Sequence, residues 1–156
     1  MEYDCSGFDE IAVPGTWQMA GYDTHQYTNI RYPFPFDPPY VPQDVPCGAY
    51  VHTFDYQQEE KAPKVFLNFE GVDSCFYVWL NGVYVGYSQV AHGMSEFDVT
   101  AQIREGRNTL AVLNLKWCDG SYLEDQDKFR MSGIFRDVYL LKRPAQAIRD
   151  YHITTE

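Results

Sequence analysis

The chain has 156 residues, a length that suits one domain with a sizeable core, and a formal net charge of −10. This charge opposes binding to the phosphates of nucleic acids and to anionic lipid headgroups, and no cluster of Lys and Arg offers an exception. No apolar run reaches the length of about twenty residues that spans a bilayer. We therefore expect neither nucleic acid nor a membrane as a partner.

Residues 14–48 contain closely spaced prolines among Phe and Tyr residues. Proline fixes φ and removes a hydrogen-bond donor, so these residues predict an irregular, extended arm rather than compact secondary structure. Such an arm covers a sheet face of its own domain or faces a ligand, and the sequence leaves both open. Apart from Pro14, the prolines of this segment lie at positions 33, 35, 38, 39, 42 and 46.

From residue 51 onward the pattern is strand, turn, strand. Val65, Leu67 and Phe69 occupy alternate positions and predict a strand, and residues 71–74 predict the turn that follows it. The core of the domain is therefore expected over residues 49–156.

A hairpin is predicted around Asn81 and Gly82. Both residue types tolerate the positive φ angles of a type I′ turn, whose twist matches that of the flanking strands. Residues 75–80 are therefore expected to pair antiparallel with residues 83–88.

The second half of the chain predicts further strands. Residues 109–117 are apolar on both faces and indicate a central strand, preceded by a turn at residues 106–108. Strands are also predicted at 134–141 and 147–154, and residues 100–105 predict a short helical turn. Six or more short strands without sustained helical periodicity indicate an all-β fold, an antiparallel β-sandwich in a single domain over residues 1–156.

The cysteines are widely spaced and form no Cys-x-x-Cys motif, so we expect free thiols rather than a zinc site or a redox pair. The four histidines show no metal-ligand spacing. Among the tryptophans, core packing is expected for Trp79 and Trp117, whereas Trp17 is open to a stacking role. The cysteines are Cys5, Cys47, Cys75 and Cys118.

An acidic loop at residues 117–137 includes Asp119, Glu124, Asp125 and Asp127 among aromatic, Gly and Ser residues. Carboxylates beside rings suit a sugar or a hard cation, but residue types alone favour a solvated loop whose Asp side chains close local turns. Asp125 and Asp127 would lie about 7 Å apart in an extended segment. Nothing would raise the pKa of one above that of the other, so the loop is not predicted to be a catalytic pair.

Several long motifs carry a resemblance to the β-galactosidases of glycoside hydrolase family 2. They include Tyr27-Thr-Asn29 and Glu124-Asp-Gln-Asp127, and they cover essentially the whole chain in family order. The resemblance implies a galactose-binding-domain-like jelly roll at the amino terminus of a larger enzyme. The segments lie at residues 13–23, 27–33, 38–42, 79–82, 85–87, 95–98 and 117–137.

The resemblance also implies roles for particular residues. Asn29 matches a residue that contacts substrate, with Ile30 beside it, and Asp127 matches one that contacts galactosyl hydroxyls and a sodium ion. Gln89 and Asp119 match ligands of a magnesium ion whose other ligands precede Met1. For Gln89, an ordinary cross-strand hydrogen bond is an equally good expectation from the sequence.

The catalytic glutamates of the family lie in a barrel domain downstream, and nothing in this chain matches their motifs. The chain alone is therefore expected to be inactive and to need no cofactor, whereas magnesium and sodium are implied for the longer enzyme. Its expected partners are a galactoside, the barrel domain of the same polypeptide and further copies in a homo-oligomer. The alternatives are a stand-alone carbohydrate-binding module and a non-enzymatic assembly domain.

Two expectations concern the start of the chain. Family sequence should precede Met1, so one sheet is expected to lack a strand and to expose an edge. Residues 1–7 lack the basic start and apolar stretch of a secretion signal, which favours the cytoplasm and leaves export open. Residues 88–94 differ from the usual family sequence, so no contacts are inferred for Val90 to His92.

Overall fold

The computed structural model describes residues 4–124 and 127–155 of the chain. In this part of the chain the structure is almost entirely β, with one short 3₁₀ helix at Asp119–Leu123. The strands are β1 (Gln26–Thr28), β2 (Cys47–Tyr56), β3 (Lys64–Phe69), β4 (Val72–Asp73), β5 (Cys75–Leu80), β6 (Val83–Ser88), β7 (Ser95–Asp98), β8 (Gly106–Leu115), β9 (Lys128–Arg130), β10 (Gly133–Ile134) and β11 (Val138–Arg143).

Two antiparallel sheets form the body of the domain. One has the strand order β2-β8-β5-β6 and the other has the order β11-β3-β7. Apolar side chains from both sheets meet in one core, where the rings of Phe69 and Phe76 lie 4.8 Å apart between centroids. Two small ribbons, β1 with β9 and β4 with β10, complete the pairing. The predicted all-β antiparallel sandwich is therefore confirmed.

The hairpin and the central strand are both confirmed. β5 pairs with β6 through a turn in which Asn81 has φ 54° and Gly82 has φ 80°. The Asn81 side chain also donates to the Gln102 carbonyl and accepts from the Thr109 amide, which ties the turn to its neighbours. β8 lies between β2 and β5, as expected for a strand that is apolar on both faces. It begins at Gly106, so the predicted turn at 106–108 is wrong.

Other boundaries also differ from the predictions. The predicted turn at 71–74 contains β4, because Val72 is buried in the core and pairs with Ile134 of β10. The strand predicted at 134–141 is divided between β10 and β11. Residues 147–154 are exposed and form no strand, since no neighbouring strand pairs with them in the described structure.

The turn predicted at residues 100–105 is confirmed. The amides of Gln102 and Ile103 both donate to the Val99 carbonyl, which forms one helical turn before β8 begins. Val99 itself is fully buried, so this turn is anchored in the core.

The Pro-rich residues 14–48 include β1 and the first residues of β2 and otherwise lack regular structure. Phe34 is buried against Trp117 and Tyr122, with ring centroids 5.2 and 5.3 Å away. Whether the segment also acts as a ligand-facing arm stays a prediction.

The tryptophans differ from expectation. Trp17 is the most buried of the three, and its indole N–H donates to the Tyr50 hydroxyl at 2.6 Å. Trp79 lies on the outer face of its sheet beside Tyr84, so the prediction of core packing for Trp79 is wrong. Trp117 is half-buried under Phe34.

Within the described residues no disulfide bond joins any of the cysteines, as the sequence predicted. Cys75 and Cys118 are buried, whereas Cys47 is exposed. No helix in the described part of the chain is both long and apolar enough to cross a membrane.

We expect Gly86→Ala to destabilise the domain. A methyl group at this position in β6 would lie 2.6 Å from the Phe97 ring, which packs against the core. Overpacking of this kind costs about 1–3 kcal/mol, which corresponds to a Tm lower by several degrees. Gly7→Ala is the matched control, because a methyl group there meets nothing within 4 Å. Equal melting temperatures for the two variants in a thermal scan would contradict this account.

Candidate functional site

The β1–β9 ribbon brings the predicted substrate residues together. Thr28 pairs with Lys128 at one end of this antiparallel ribbon. Asn29 and Ile30 directly follow β1, and Asp127 directly precedes β9, so all three lie at the same end. Residues separated by about a hundred positions therefore share one surface of the domain. Asp125 and Gln126, which complete the acidic loop, lie outside the described residues.

Tyr27 connects the two sides of this site. Its hydroxyl donates a hydrogen bond to the Asp127 carboxylate, which raises the pKa of the phenol, and the Asn29 amide contacts the same hydroxyl. The Tyr27 ring packs edge-on against Phe129 with centroids 5.6 Å apart. Ile30 is 82% exposed and presents an apolar side chain next to these polar groups. The sequence included Tyr27 in a motif but assigned it no role.

Arg130 fixes the ribbon to the acidic loop. Its guanidinium is buried, donating from Nε to the Thr28 hydroxyl at 2.7 Å and from Nη1 to the Glu124 carbonyl at 2.6 Å. A buried cation needs such partners because its desolvation is costly. Lys128 also pairs with the Glu124 carboxylate at 3.3 Å. The sequence showed Arg130 only as part of a family motif and predicted no contact for it, because its partner Thr28 is 102 residues away in the chain.

Gln89 lies beside Gly120, the residue that follows Asp119. A methyl group on Gly120 would be 3.4 Å from the Gln89 carbonyl oxygen and 3.8 Å from its side-chain Cδ. The Gly120 amide donates to the Asp119 carboxylate at 2.9 Å. The Gln89 side-chain oxygen accepts a hydrogen bond from the Tyr87 hydroxyl at 2.8 Å. Tyr87 is only two residues away along the chain, so this hydrogen bond is local and does not cross between strands.

The donor set suits a hard cation but supplies only part of a shell. A carboxylate and an amide oxygen are ligands that magnesium prefers, and its octahedral shell takes about six. In the part of the chain that the structure describes, no group of three or more His, Cys, Asp or Glu side chains could hold a metal. Gln89 and Asp119 therefore fit a site that other ligands must complete.

Two buried cysteines support this region. The Cys75 thiol donates to Cys118, which lowers the pKa of Cys118 to about 6 and raises the pKa of Cys75. Ser74 contacts both Cys118, at 3.4 Å, and the Ser121 hydroxyl, at 3.0 Å. These contacts anchor the 3₁₀ helix that carries Asp119 to the start of β5.

The model of the glycosyl hydrolases family 2 sugar binding domain matches residues 1–144. The chain belongs to this family. It is 57% identical over 147 residues to a β-galactosidase of Actinobacillus pleuropneumoniae, covering 94% of this chain and 14% of that protein. It is 52% identical over 145 residues to a β-galactosidase of Staphylococcus xylosus, covering 93% of this chain and 15% of that protein.

The chain thus spans about 15% of the length of these relatives and corresponds to their amino-terminal domain. A solved β-glucuronidase of Bacteroides uniformis has the same fold, with a TM-score of 0.68 and 23% identity. That match covers 91% of this chain and 15% of the enzyme. The likeness confirms the predicted sandwich of family-2 sugar-binding domains.

A small cleft lies beside the β1–β9 ribbon of this sugar-binding domain. It has a volume of about 130 Å³, and Asp73, His92, Lys128 and Phe129 are among the residues that line it. Burial raises the pKa of Asp73 to about 7, and nearby Glu124 adds to the effect while Lys128 opposes it. Burial also lowers the pKa of His92. Nothing in the local sequence pointed to this carboxyl group, because Asp73 lies in a predicted turn.

Asp73 should make the stability of the domain depend on pH. Because its folded-state pKa is raised, its contribution is fully present below the ordinary value of 3.8 and is lost as the pH rises through about 7. Asp73→Asn keeps the shape and removes the titration. The unfolding free energy of the variant relative to the original should therefore rise between pH 4 and pH 8 by about 1–4 kcal/mol. Urea unfolding across this range measures it, and a difference that is constant with pH would contradict the assignment.

Proposed function

We propose that the chain is the sugar-binding domain of a β-galactosidase that hydrolyses terminal β-D-galactosides. It contributes one wall of the substrate pocket, and the catalytic glutamates belong to a barrel domain elsewhere in the same polypeptide. The observation that carries the proposal is the β1–β9 ribbon, which gathers Asn29, Ile30 and Asp127 at one end. The identity of 57% to a β-galactosidase over 147 residues supports the choice of substrate.

The groups at this end of the ribbon suit a galactosyl ring. The Asp127 carboxylate accepts hydrogen bonds from sugar hydroxyls, and the Asn29 amide can both donate and accept. The exposed Ile30 side chain packs against sugar C–H groups. Tyr27 keeps the Asp127 carboxylate in place by donating to it, so that the remaining lone pairs face the ligand. A sodium ion would be held by Asp127 together with ligands from outside the chain.

This domain binds rather than cleaves. Glycoside hydrolysis normally needs two carboxyl groups that flank the scissile bond, one of them able to give up a proton. Glu124 is engaged by Lys128, and Asp73 is buried beneath the ribbon. An ion-paired carboxylate and a buried carboxyl group do not make such a pair, so we assign the chemistry to the barrel domain.

The central test is Asp127→Asn in the full-length enzyme. The change preserves size but removes the charge and one strong acceptor. A charge-assisted hydrogen bond is worth about 1.5–3 kcal/mol, so kcat/KM for a β-galactoside should fall at least about tenfold. Asp150→Asn, in the exposed segment after β11, is the control and should leave kcat/KM within about twofold. If Asp127→Asn behaves like this control, the pocket-wall proposal is wrong.

Tyr27→Phe in the same enzyme should have an intermediate effect. It leaves the Asp127 charge intact but removes the hydroxyl that orients it. A single neutral donor is worth about 0.5–1.5 kcal/mol, so kcat/KM should fall by about two- to tenfold. In the Asp127→Asn background the same change should cost less, because the two groups act through one contact. Equal losses in both backgrounds, measured by steady-state kinetics, would show that the two side chains act independently.

Magnesium is proposed to bind through Asp119 and Gln89, with the remaining ligands from elsewhere in the enzyme. Bound there, the ion would supply positive charge that draws these oxygens and its other ligands together. Asp119→Asn should therefore abolish most of the increase in Tm that millimolar magnesium produces in the full-length enzyme after chelation. Asp150→Asn should keep that increase. A variant that responds to magnesium as the original enzyme does would rule out Asp119 as a ligand.

A further inference from the structure

Over part of its length, the outer face of the four-stranded sheet carries apolar side chains on all four strands, and beyond them the Thr53–Thr109 and Asp55–Arg107 pairs make it polar. On β5 the side chains of Phe76, Val78 and Leu80 enter the core, so Tyr77 and Trp79 point to the opposite side. The remaining strands continue this outward set with residues that pair beside these two. We define the outer apolar face by Val51, Tyr77, Trp79, Tyr84, Tyr87 and Leu113.

The aromatic half of this face is a continuous layer of rings. Tyr77 lies opposite Tyr87 with ring centroids 4.8 Å apart, and Trp79 lies opposite Tyr84 at 5.8 Å. Tyr77 and Trp79 are 6.2 Å apart along β5, which joins the two pairs. Because the rings pack on one another and on a paired sheet, they present a preformed surface that costs little entropy to bind.

Much of this layer is open to solvent in the described structure. Tyr77 is 36% exposed and Tyr84 is 51% exposed, and Val51 on β2 is 42% exposed. Four strands spaced about 4.8 Å apart make a face about 14 Å wide. Soluble monomers rarely expose contiguous apolar surface of this kind unless another surface covers it.

The chemistry of the outer apolar face favours a protein surface over a sugar. Sugar sites combine rings with several convergent polar groups, such as carboxylates and amides. Here the polar groups within the face are the tyrosine hydroxyls and the Trp79 indole N–H, and the Tyr87 hydroxyl already donates a hydrogen bond to Gln89. Between the rings and β2, the face continues through Leu113 and Val51, which offer no hydrogen bonds.

The charge of the chain disfavours a second copy as the occupant. Each copy has a formal net charge of −10, so two copies meeting face to face would repel. The relatives contain abundant other sequence, because this chain matches only 14% and 15% of their length. A surface in the same polypeptide is also present at high effective concentration.

We propose that the outer apolar face is an internal interface, covered by an apolar surface of the same longer polypeptide outside these 156 residues. The inference rests on the proposed function only in that the chain is one domain of a longer enzyme. The interface would attach the sugar-binding domain through the four-stranded sheet. The substrate end of the β1–β9 ribbon would then remain free to face the pocket.

The test uses the full-length protein with the photoreactive residue p-benzoylphenylalanine in place of Tyr84. After irradiation, mass spectrometry identifies the cross-linked peptide. We expect a cross-link within one polypeptide, from β6 to a peptide outside residues 1–156. The same replacement of Tyr139, which is 37% exposed on β11 of the other sheet, measures nonspecific capture. A cross-link between two copies, or a cross-link yield no higher than that of the Tyr139 control, would overturn the proposal.

A second measurement covers the case in which the bulky residue disturbs folding. In the full-length protein, a maleimide should label Tyr84→Cys at least about tenfold more slowly than Tyr139→Cys, because a covered thiol is protected. Equal labelling rates would overturn the proposal. Activity of the unmodified full-length protein towards a β-galactoside is assayed separately. If the protein is active and the outer apolar face is exposed, the proposed interface is wrong and the proposed function stands. If the protein is inactive and the face is covered, only the proposed function is wrong.

Discussion

The buried guanidinium of Arg130 is the contact on which the candidate site depends. It donates to Thr28 at the end of β1 and to the Glu124 carbonyl in the acidic loop, so one side chain connects two segments about a hundred residues apart. Burying a cation is unfavourable unless its donors are satisfied, and this requirement selects one arrangement of ribbon and loop. The positions of Asn29 and Asp127 follow from that arrangement. The site is thus held by a polar contact rather than by the apolar core.

The apolar core supports the segments that carry the candidate site. The two main sheets pack through residues such as Phe69 and Phe76 and carry the irregular segments on their edges and ends. Binding residues lie on these segments, where side chains are free to face a ligand, while the sandwich supplies rigidity. The same division explains why the four-stranded sheet has a second apolar face. Its inner face builds the core, and its outer face is available for assembly.

The contacts around Cys118 connect the apolar core to the irregular segments that carry the candidate site. The Cys75 thiol at the start of β5 and the Ser74 hydroxyl both contact the segment that begins the 3₁₀ helix. Asp119, which we propose as a magnesium ligand, is therefore supported by the end of a core strand, and Gln89 directly follows β6. A metal bound there would connect the edge of the sheet to the acidic loop.

Local sequence pattern was enough to predict the sandwich, the β5–β6 hairpin and the central position of β8, because alternation and turn chemistry are local properties. Family motifs also predict Asn29 and Asp127 as site residues. Only the tertiary structure decided that Tyr27 lies between them and that Arg130 fixes the ribbon. It also raised the pKa of Asp73 and placed Trp79 on an outer face. These features depend on contacts between segments that are distant in the chain and on burial away from water. A local sequence pattern contains neither the distance between such segments in space nor the loss of water around a group.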